Sequence, residues 1–519
     1  LTEEKDITKD MSRKITKNTE KEVMNGRITE KQKEKQGTEK SKEKSAQLST
    51  IIVVVITAFL APFNGSALNL SIPAMGREFN ASAALVGWIV TSYLITAAVL
   101  SVPFGRVADL TGRKRILVTG ILAFSICSGA TVFTGSLAVL ILLRVLQGVA
   151  GAMIFSTNIA VLLSAFSPDK RGKVLGYSTA SVYIGLSAGP VLGGIMNHYL
   201  GWRSIFVLTF AISAAAFILA LKKLPESKPE QNGHSLDISG NILYVLMLTL
   251  IMFGLSTVAE LFYAKYLMIA GALLFILFVR HELRAESPIV EVRLFASNIS
   301  YSFSNLAALL SYGATFALSY LLSIYLQVIK GFDSQISGMI LITQPLLQAI
   351  LSPYCGRLSD RVSPFKLASF GMGLCALGLF SFIFISKDYP FALVIANLLV
   401  MGAGFAFFSS PNTNAVMACV EKKDYGVASS ILSTMRSIGN SASMAVVTFI
   451  VAATLGNVTL ADAEPGQLIA AMHTGFIVFT CLCAVGIFIS LKRKPVQDKP
   501  APGKADRGKP GQNKPARDQ

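Results

Sequence analysis

Apolar residues in this chain come in long runs separated by short charged clusters. A helix that crosses a bilayer needs about 20 predominantly apolar residues, and the pattern supplies fourteen such runs. They cover 50–74, 84–104, 116–135, 137–163, 173–197, 203–222 and 238–259, then 263–280, 299–327, 334–354, 366–386, 389–411, 425–453 and 470–491. The expected class is an all-α polytopic membrane protein with fourteen spans, and an even number of spans returns both ends to one side.

Charge tests that count. Loops that retain Lys and Arg stay in the cytoplasm. Loops on the side of the termini hold 18 of these cations and the opposite loops hold 5, so both termini are expected to be cytoplasmic. Two cations fall inside spans, Arg144 and Arg436, whereas no carboxylate lies well inside one. The interior is thus expected to carry fixed positive charge and amides, with no acid.

Composition agrees. The chain has 519 residues, 52% hydrophobic and only 15% charged, with a mean hydropathy of +0.56; a soluble domain is about 25% charged. The net charge of +17 raises nucleic acid as a partner, but 22 of the 47 Lys and Arg sit in low-complexity stretches before residue 50 and after residue 491. Such tails read as disordered and drawn to anionic lipid, so membrane lipids are expected as partners and nucleic acid is not. The six cysteines, Cys127, Cys355, Cys375, Cys419, Cys481 and Cys483, show neither metal-ligand nor disulfide spacing and read as small core residues. No metal or cofactor is expected, and without a phosphate-binding G-x-x-x-x-G-K-[ST] loop neither is an ATPase or other enzyme.

Four motifs carry the functional reading. After the second run stands GRVADLTGRKR, in which Gly105 is expected to permit a tight helix exit and Asp109 to pair with Arg113 four residues on. A shorter echo, GRLSDRVSP with Asp360, follows the tenth run, and two copies of G-R-x-x-D at matching places argue for a duplicated six-helix unit. The fourth run reads RVLQGVAGA, with Arg144 and Gln147. The fifth reads GLSAGPVLGG, with Gly185, Gly189, Pro190, Gly193 and Gly194. Such glycines let helices approach closely, and Pro190 releases a backbone bond and permits bending.

These motifs, together with SPIVEVRLF (287–295), YLQVIKGFDSQISG (325–338) and the stretch 409–443, resemble the major facilitator superfamily, and within it the fourteen-span drug:proton antiporters of the EmrB/QacA type. The resemblance covers about residues 50–491 and implies a six-helix bundle over 50–222, a linker with two extra helices over 223–298, and a second bundle over 299–491. Disordered tails would occupy 1–49 and 492–519. It further implies two bundles that rock about a central cavity, with Gly105, Asp109, Arg113, Asp360 and the fifth-run residues Gly185, Gly189, Pro190, Gly193 and Gly194 serving the conformational change.

The family usually places a carboxylate where this chain has Asn64. A buried carboxylate can be tuned to carry a proton; an amide cannot. The candidate cavity lining is Asn64, Tyr93, Arg144, Gln147, Tyr183, Tyr312, Gln344, Gln348, Asn414, Arg436 and Asn440, each weighed against a plain interhelical bond. Aromatics and amides without an acid suit amphipathic or weakly anionic molecules better than a dication. The expected function is a secondary exporter of amphipathic small molecules at the cell membrane, acting as a monomer in multidrug efflux. Protons would be coupled through Asp109, Glu260, His473 or direct competition. The alternatives are an organic-anion exporter or facilitator without proton antiport, and a non-transporting sensor or scaffold.

Overall fold

The computed structural model describes residues 44–166, 171–226, 237–258, 261–286, 288–290, 292–359, 361–420, 425–456, 458 and 463–493. Among them, fourteen helices are long and apolar enough to cross a membrane. Spans 1–7 run Lys44–Asn69, Ala84–Thr111, Arg113–Val132, Leu137–Ser164, Gly176–Leu200, Arg203–Lys223 and Ile238–Thr257. Spans 8–14 run Ala264–Glu282, Ile299–Ile329, Ser334–Ser359, Pro364–Phe382, Phe391–Ala418, Ile431–Leu455 and Pro465–Leu491. Both described ends, Lys44 and Arg493, lie on the same face, called here the terminal face; the opposite one is the far face.

Each apolar run of the sequence became a helix, and proline explains two of the shifted boundaries. The first run was expected to reach residue 74, but the span stops at Asn69 and a separate short helix, Ile72–Phe79, begins with Pro73 in its first turn. There the missing N–H costs nothing. The twelfth run was expected to stop at Pro411, yet the helix continues through it to Ala418. Neighbouring helices in a membrane bundle tolerate that lost bond.

The contacts repeat with an offset of eight spans. Span 2 packs on 4, and 10 on 12; span 3 packs on 4 and 6, and 11 on 12 and 14. The two halves meet through span 2 against span 13 and span 5 against span 10, which are the same pair under that offset. This is the arrangement two copies of one unit make about an axis along the membrane normal. Spans 7 and 8 pack on each other, and span 7 leans on spans 2 and 13.

Hydrocarbon supplies no hydrophobic drive between helices, so small residues and close packing hold the bundles. Span 5 uses two faces for this. Gly185, Gly189 and Gly193 lie four residues apart against span 1: a Cβ on Gly185 would stand 2.6 Å from the Phe59 carbonyl, one on Gly193 2.6 Å from the Ala67 Cβ, and one on Gly189 would strike Ser66. Gly194 and Pro190 face span 10 instead, where the backbone of Ser334 meets Gly194 and Gly338 meets the Pro190 carbonyl.

Apart from one at mid-membrane described below, the described cross-bundle hydrogen bonds lie between mid-membrane and the far face. Ser323 Oγ donates to the Asn69 carbonyl (2.6 Å) and Gln327 Nε2 to that of Leu70 (3.0 Å). Ser334 Oγ donates to the Gly194 carbonyl (3.1 Å), Ser441 Oγ to that of Leu94 (2.8 Å), and Thr91 and Thr448 share a hydroxyl bond (3.0 Å). His198 and Asp333 face each other at 4.0 Å.

Two expectations are corrected. Gly105 is no helix exit: span 2 continues to Thr111, and the positive φ falls on Gly112 (106°). A positive φ suits glycine, so the turn sits seven residues later. Arg493, expected in the disordered tail, is buried at 6% exposure and donates to Asn412 Oδ1 (2.8 Å) and Ser304 Oγ (3.2 Å). The tails were expected over 1–49 and 492–519; residues 44–49 instead form the first turns of span 1, and 1–43 and 494–519 lie outside the described residues.

Two measurements check this packing. Gly193→Val and Gly338→Val should each cost about 1–3 kcal/mol by overpacking, read as a lower melting temperature, while Gly373→Ala, where a Cβ meets nothing within 4 Å, should not. On the far face, Arg203 bonds Glu78 at 2.7 Å and Trp202 Nε1 donates to the same carboxylate at 2.6 Å. The Arg203 bond, and after it that of Trp202, outweigh partial desolvation and hold the Glu78 carboxyl below its usual value of 4.5. A depressed carboxyl stabilises the fold above the unfolded value and loses that contribution as pH falls through the folded one. Glu78→Gln should therefore lower the melting temperature slightly at neutral pH, and the gap should close in acid.

Candidate functional site

The polar interior divides into two clusters. The first lies wholly in the N-terminal bundle. Arg144, on span 4, is fully buried. Its Nε donates to the Ile89 carbonyl (2.8 Å), and its Nη1 to Gln147 Oε1 (2.7 Å) and Asn64 Oδ1 (3.1 Å). Its guanidinium lies 4.3 Å from the centre of the Tyr93 ring. Gln147 passes the network to Ser128 Oγ (2.9 Å), and Asn64 Nδ2 reaches Thr209 Oγ1 (3.4 Å).

The glycines of RVLQGVAGA make this geometry possible. A Cβ on Gly148 would meet the Thr96 side chain at 2.7 Å, and one on Gly151 the Tyr93 hydroxyl at 3.0 Å. Their absence lets span 2 approach until Tyr93 lies over the cation. Among the described residues no carboxylate pairs with Arg144, and its Nη2 finds no acceptor. Neutral acceptors, Asn64 among them, and an aromatic face share the charge.

The second cluster straddles the bundles at mid-membrane. Tyr312 of span 9 shares a hydroxyl bond with Ser409 of span 12 (3.1 Å), and Tyr183 of span 5 reaches the same Ser409 Oγ from the other bundle (3.4 Å). Arg436, on span 13, sits 4.9 Å from the Tyr312 ring centre. Phe405 and Phe408 stand edge-on to that ring at 5.3 and 6.3 Å. Arg436 Nε and Asn440 Oδ1 have no partner, and Arg436, Tyr183 and Tyr312 are all partly exposed.

A broken helix shapes this cluster. Span 9 turns at Phe316–Ala317, four residues beyond Tyr312, and ends in a wider π-helical turn at Tyr325–Ile329. The freed Ala317 N–H donates to Ser443 Oγ of span 13 (3.1 Å). Irregular backbone at membrane depth is tolerated where protein groups satisfy it. Span 10, by contrast, stays helical through Ile342, whose N–H donates to the Gly338 carbonyl (3.1 Å).

The remaining sequence candidates scatter. Gln344 is partly exposed on span 10, and Gln348 is buried one turn on. Asn414 lies near the terminal face, where its Nδ2 donates to Ser359 Oγ (2.6 Å). Asp109 pairs with Arg113 at 2.8 Å outside the interior. His473 bonds the Ile385 carbonyl (2.6 Å); Asp360 and Glu260 lie outside the described residues. Sequence reasoning missed Ser409, although it opens the quoted stretch 409–443. It also missed Glu282, which the apolar pattern places beyond the eighth run and the helix draws inside at 1% exposure.

Comparison with known proteins follows the fold. The family model for the Major Facilitator Superfamily matches residues 54–280 and 305–517. The riboflavin transporter RibZ of Clostridioides difficile is 26% identical over 85% of this chain and 96% of its own. The multidrug resistance protein Stp of Mycobacterium tuberculosis is 29% identical over 76% of this chain and 74% of its own. Among solved structures, a D-xylose-proton symporter superposes with a TM-score of 0.63 at 14% identity, over 86% of this chain and 98% of that one.

Restoring a carboxylate tests the first cluster. Asn64→Asp should place an anion against Arg144 and raise the melting temperature. Asn64→Leu removes an acceptor from a buried cation and should cost about 1–3 kcal/mol, measured as a fall in the same midpoint.

Proposed function

This chain belongs to the Major Facilitator Superfamily, and from that premise we propose that it exports amphipathic, drug-like molecules across the cell membrane. It is a secondary transporter, and its relatives include multidrug resistance proteins. The proposed site is built on Tyr183, Ser409, Tyr312 and Arg436, with Asn440 and Gln344 at its margin. The terminal face is assigned to the cytoplasm on the excess of Lys and Arg in its loops. The bonds that tie the bundles near the far face fit a state that receives substrate from the cytoplasmic side.

One observation carries this reading. Arg436 is partly exposed between the bundles, has an unpartnered Nε and lies against an aromatic ring, and among the described residues no acid pairs with it. Such a site stacks a planar group on Tyr312 and offers a hydrogen bond to a neutral or weakly anionic oxygen. It repels a dication. Because Tyr183 and Ser409 come from opposite bundles, a ligand there is positioned to feel their relative motion. Gly185, Gly189, Pro190, Gly193 and Gly194 of span 5 carry that motion in this scheme, one face holding span 1 and the other sliding on span 10. A second reading, an organic-anion exporter or facilitator without proton antiport, draws support from the two intramembrane arginines and from Asn64 in place of an acid.

Inverted vesicles distinguish them. A panel of matched aromatic compounds should accumulate when neutral or weakly anionic and not when dicationic. Arg436→Gln should reduce that uptake about tenfold, the equivalent of roughly 1.4 kcal/mol of lost contact. Uptake that survives collapse of the pH gradient favours the second reading, and full activity of Arg436→Gln removes the site from both.

A further inference from the structure

Away from the central cluster, the inserted helix pair holds the most enclosed titratable group among the described carboxylates. Asp237 caps span 7 by accepting the Gly240 N–H on Oδ1 (2.8 Å), and its Oδ2 is bonded to His281 Nε2 of span 8 (2.7 Å). The next residue, Glu282, is 1% exposed. One of its oxygens, Oε2, accepts the Val290 N–H (3.0 Å) from the connector that opens SPIVEVRLF. The other, Oε1, is buried without a partner. It shares with Asp237 the space over Gly240: a Cβ placed there would stand 2.5 Å from Asp237 Oδ2 and 2.8 Å from Glu282 Oε1. Two carboxylate oxygens therefore flank one point from which Gly240 withholds a side chain; the Ile289 N–H joins that of Val290 at the Glu282 carboxylate, and Oε1 has no hydrogen-bond partner.

A buried carboxylate beside a second, mostly enclosed one does not readily ionise together with it, and a single shared proton relieves the repulsion and supplies the missing donor. We propose that Asp237, His281 and Glu282 form a proton-binding site at the foot of the span 7–8 hairpin. A proton from cytoplasmic water forms an O–H bond with Glu282 Oε1 and is hydrogen-bonded to Asp237 Oδ2. The half-buried edge of His281 is the path by which it enters and leaves. The surrounding charges do not satisfy Glu282 Oε1. Tyr244 lies further along span 7, Arg280, Arg284 and Glu286 are exposed, and Arg293 donates to the Leu283 carbonyl (2.8 Å). The helices packed on span 7 bring Arg106 and Asp109 at the terminal end of span 2 and Arg436 at mid-membrane on span 13.

Loaded, the site closes the foot of the hairpin with one hydrogen-bonded acid pair. Empty, it sets two anions against each other beneath a helix that leans on spans 2 and 13, the pair that joins the bundles. Proton occupancy is thereby linked to the bundle interface without a carboxylate in span 1.

Infrared difference spectra of the full chain in lipid nanodiscs, between alkaline and mildly acidic buffer, test this without any transport reading. Wild-type protein should gain a protonated-carboxyl band from a group shielded from water. Glu282→Gln should lose one carboxyl from that band, and Glu286→Gln should not. Asp237→Asn, which replaces the acceptor of the shared proton, should shift both the frequency of the band and the pH at which it appears. A wild-type spectrum without the band, or a band unchanged in Glu282→Gln, overturns the proposal. Should Glu282→Gln fail to fold, a spectrum of Asp237→Asn identical to wild type overturns it as well.

Discussion

A guanidinium held at membrane depth must find acceptors within the protein, and where no acid stands beside it those acceptors are carbonyls, amides and aromatic faces. Arg144 meets that constraint by drawing together Asn64, the Ile89 carbonyl, Tyr93 and Gln147 from spans 1, 2 and 4. The contacts with span 2, the Ile89 carbonyl and Tyr93, require close helices, which Gly148 and Gly151 allow. The charge thus organises the N-terminal bundle without being neutralised. Unpaired buried charge is costly, and a cation retained without a carboxylate fixes the sign of the potential in the interior.

The same chemistry appears in the C-terminal half with a different outcome. Arg436 lies over Tyr312 much as Arg144 lies over Tyr93, at 4.9 and 4.3 Å. There the cation stays partly exposed and its Nε unpartnered, at a point where span 5 reaches across to Ser409. Two related halves have therefore placed one buried and one accessible arginine. The difference lies in what surrounds them: a sealed amide network in one, and the interrupted span 9 in the other.

Movement between the halves depends on where backbone meets backbone. Span 5 carries glycine on two faces, one against span 1 in its own bundle and one against span 10 in the other. Contacts without side chains hold helices close yet leave little to interlock, which in the proposed scheme lets one face stay fixed while the other shifts. The inserted hairpin touches this arrangement from outside, through span 7 on spans 2 and 13. An acid pair at its foot gives the fold a titratable element where the central cluster has none.

Fourteen spans, the duplicated halves and the absence of an acid deep in any run were legible in the chain, because hydropathy and loop charge depend only on local composition. The pairing of Asp109 with Arg113 was legible too, since four residues along a helix bring side chains together. Helix ends were less so: Pro73 and Pro411 are the same residue, yet one opens a helix and the other is carried through it, depending on neighbours. The eleven cavity candidates could be named and not sorted. Asn64 and Arg144 are 80 residues apart and Tyr183 and Ser409 226, and only the packing of helices from different parts of the chain brings each pair within hydrogen-bond reach. The sequence by itself determined how often the chain crosses the membrane and that Arg144 and Arg436 lie at membrane depth. Which charge is sealed, which stays open, and that Glu282 turns inward toward Asp237 were decided by tertiary structure, because burial and partnership belong to the assembled helices and to no single one.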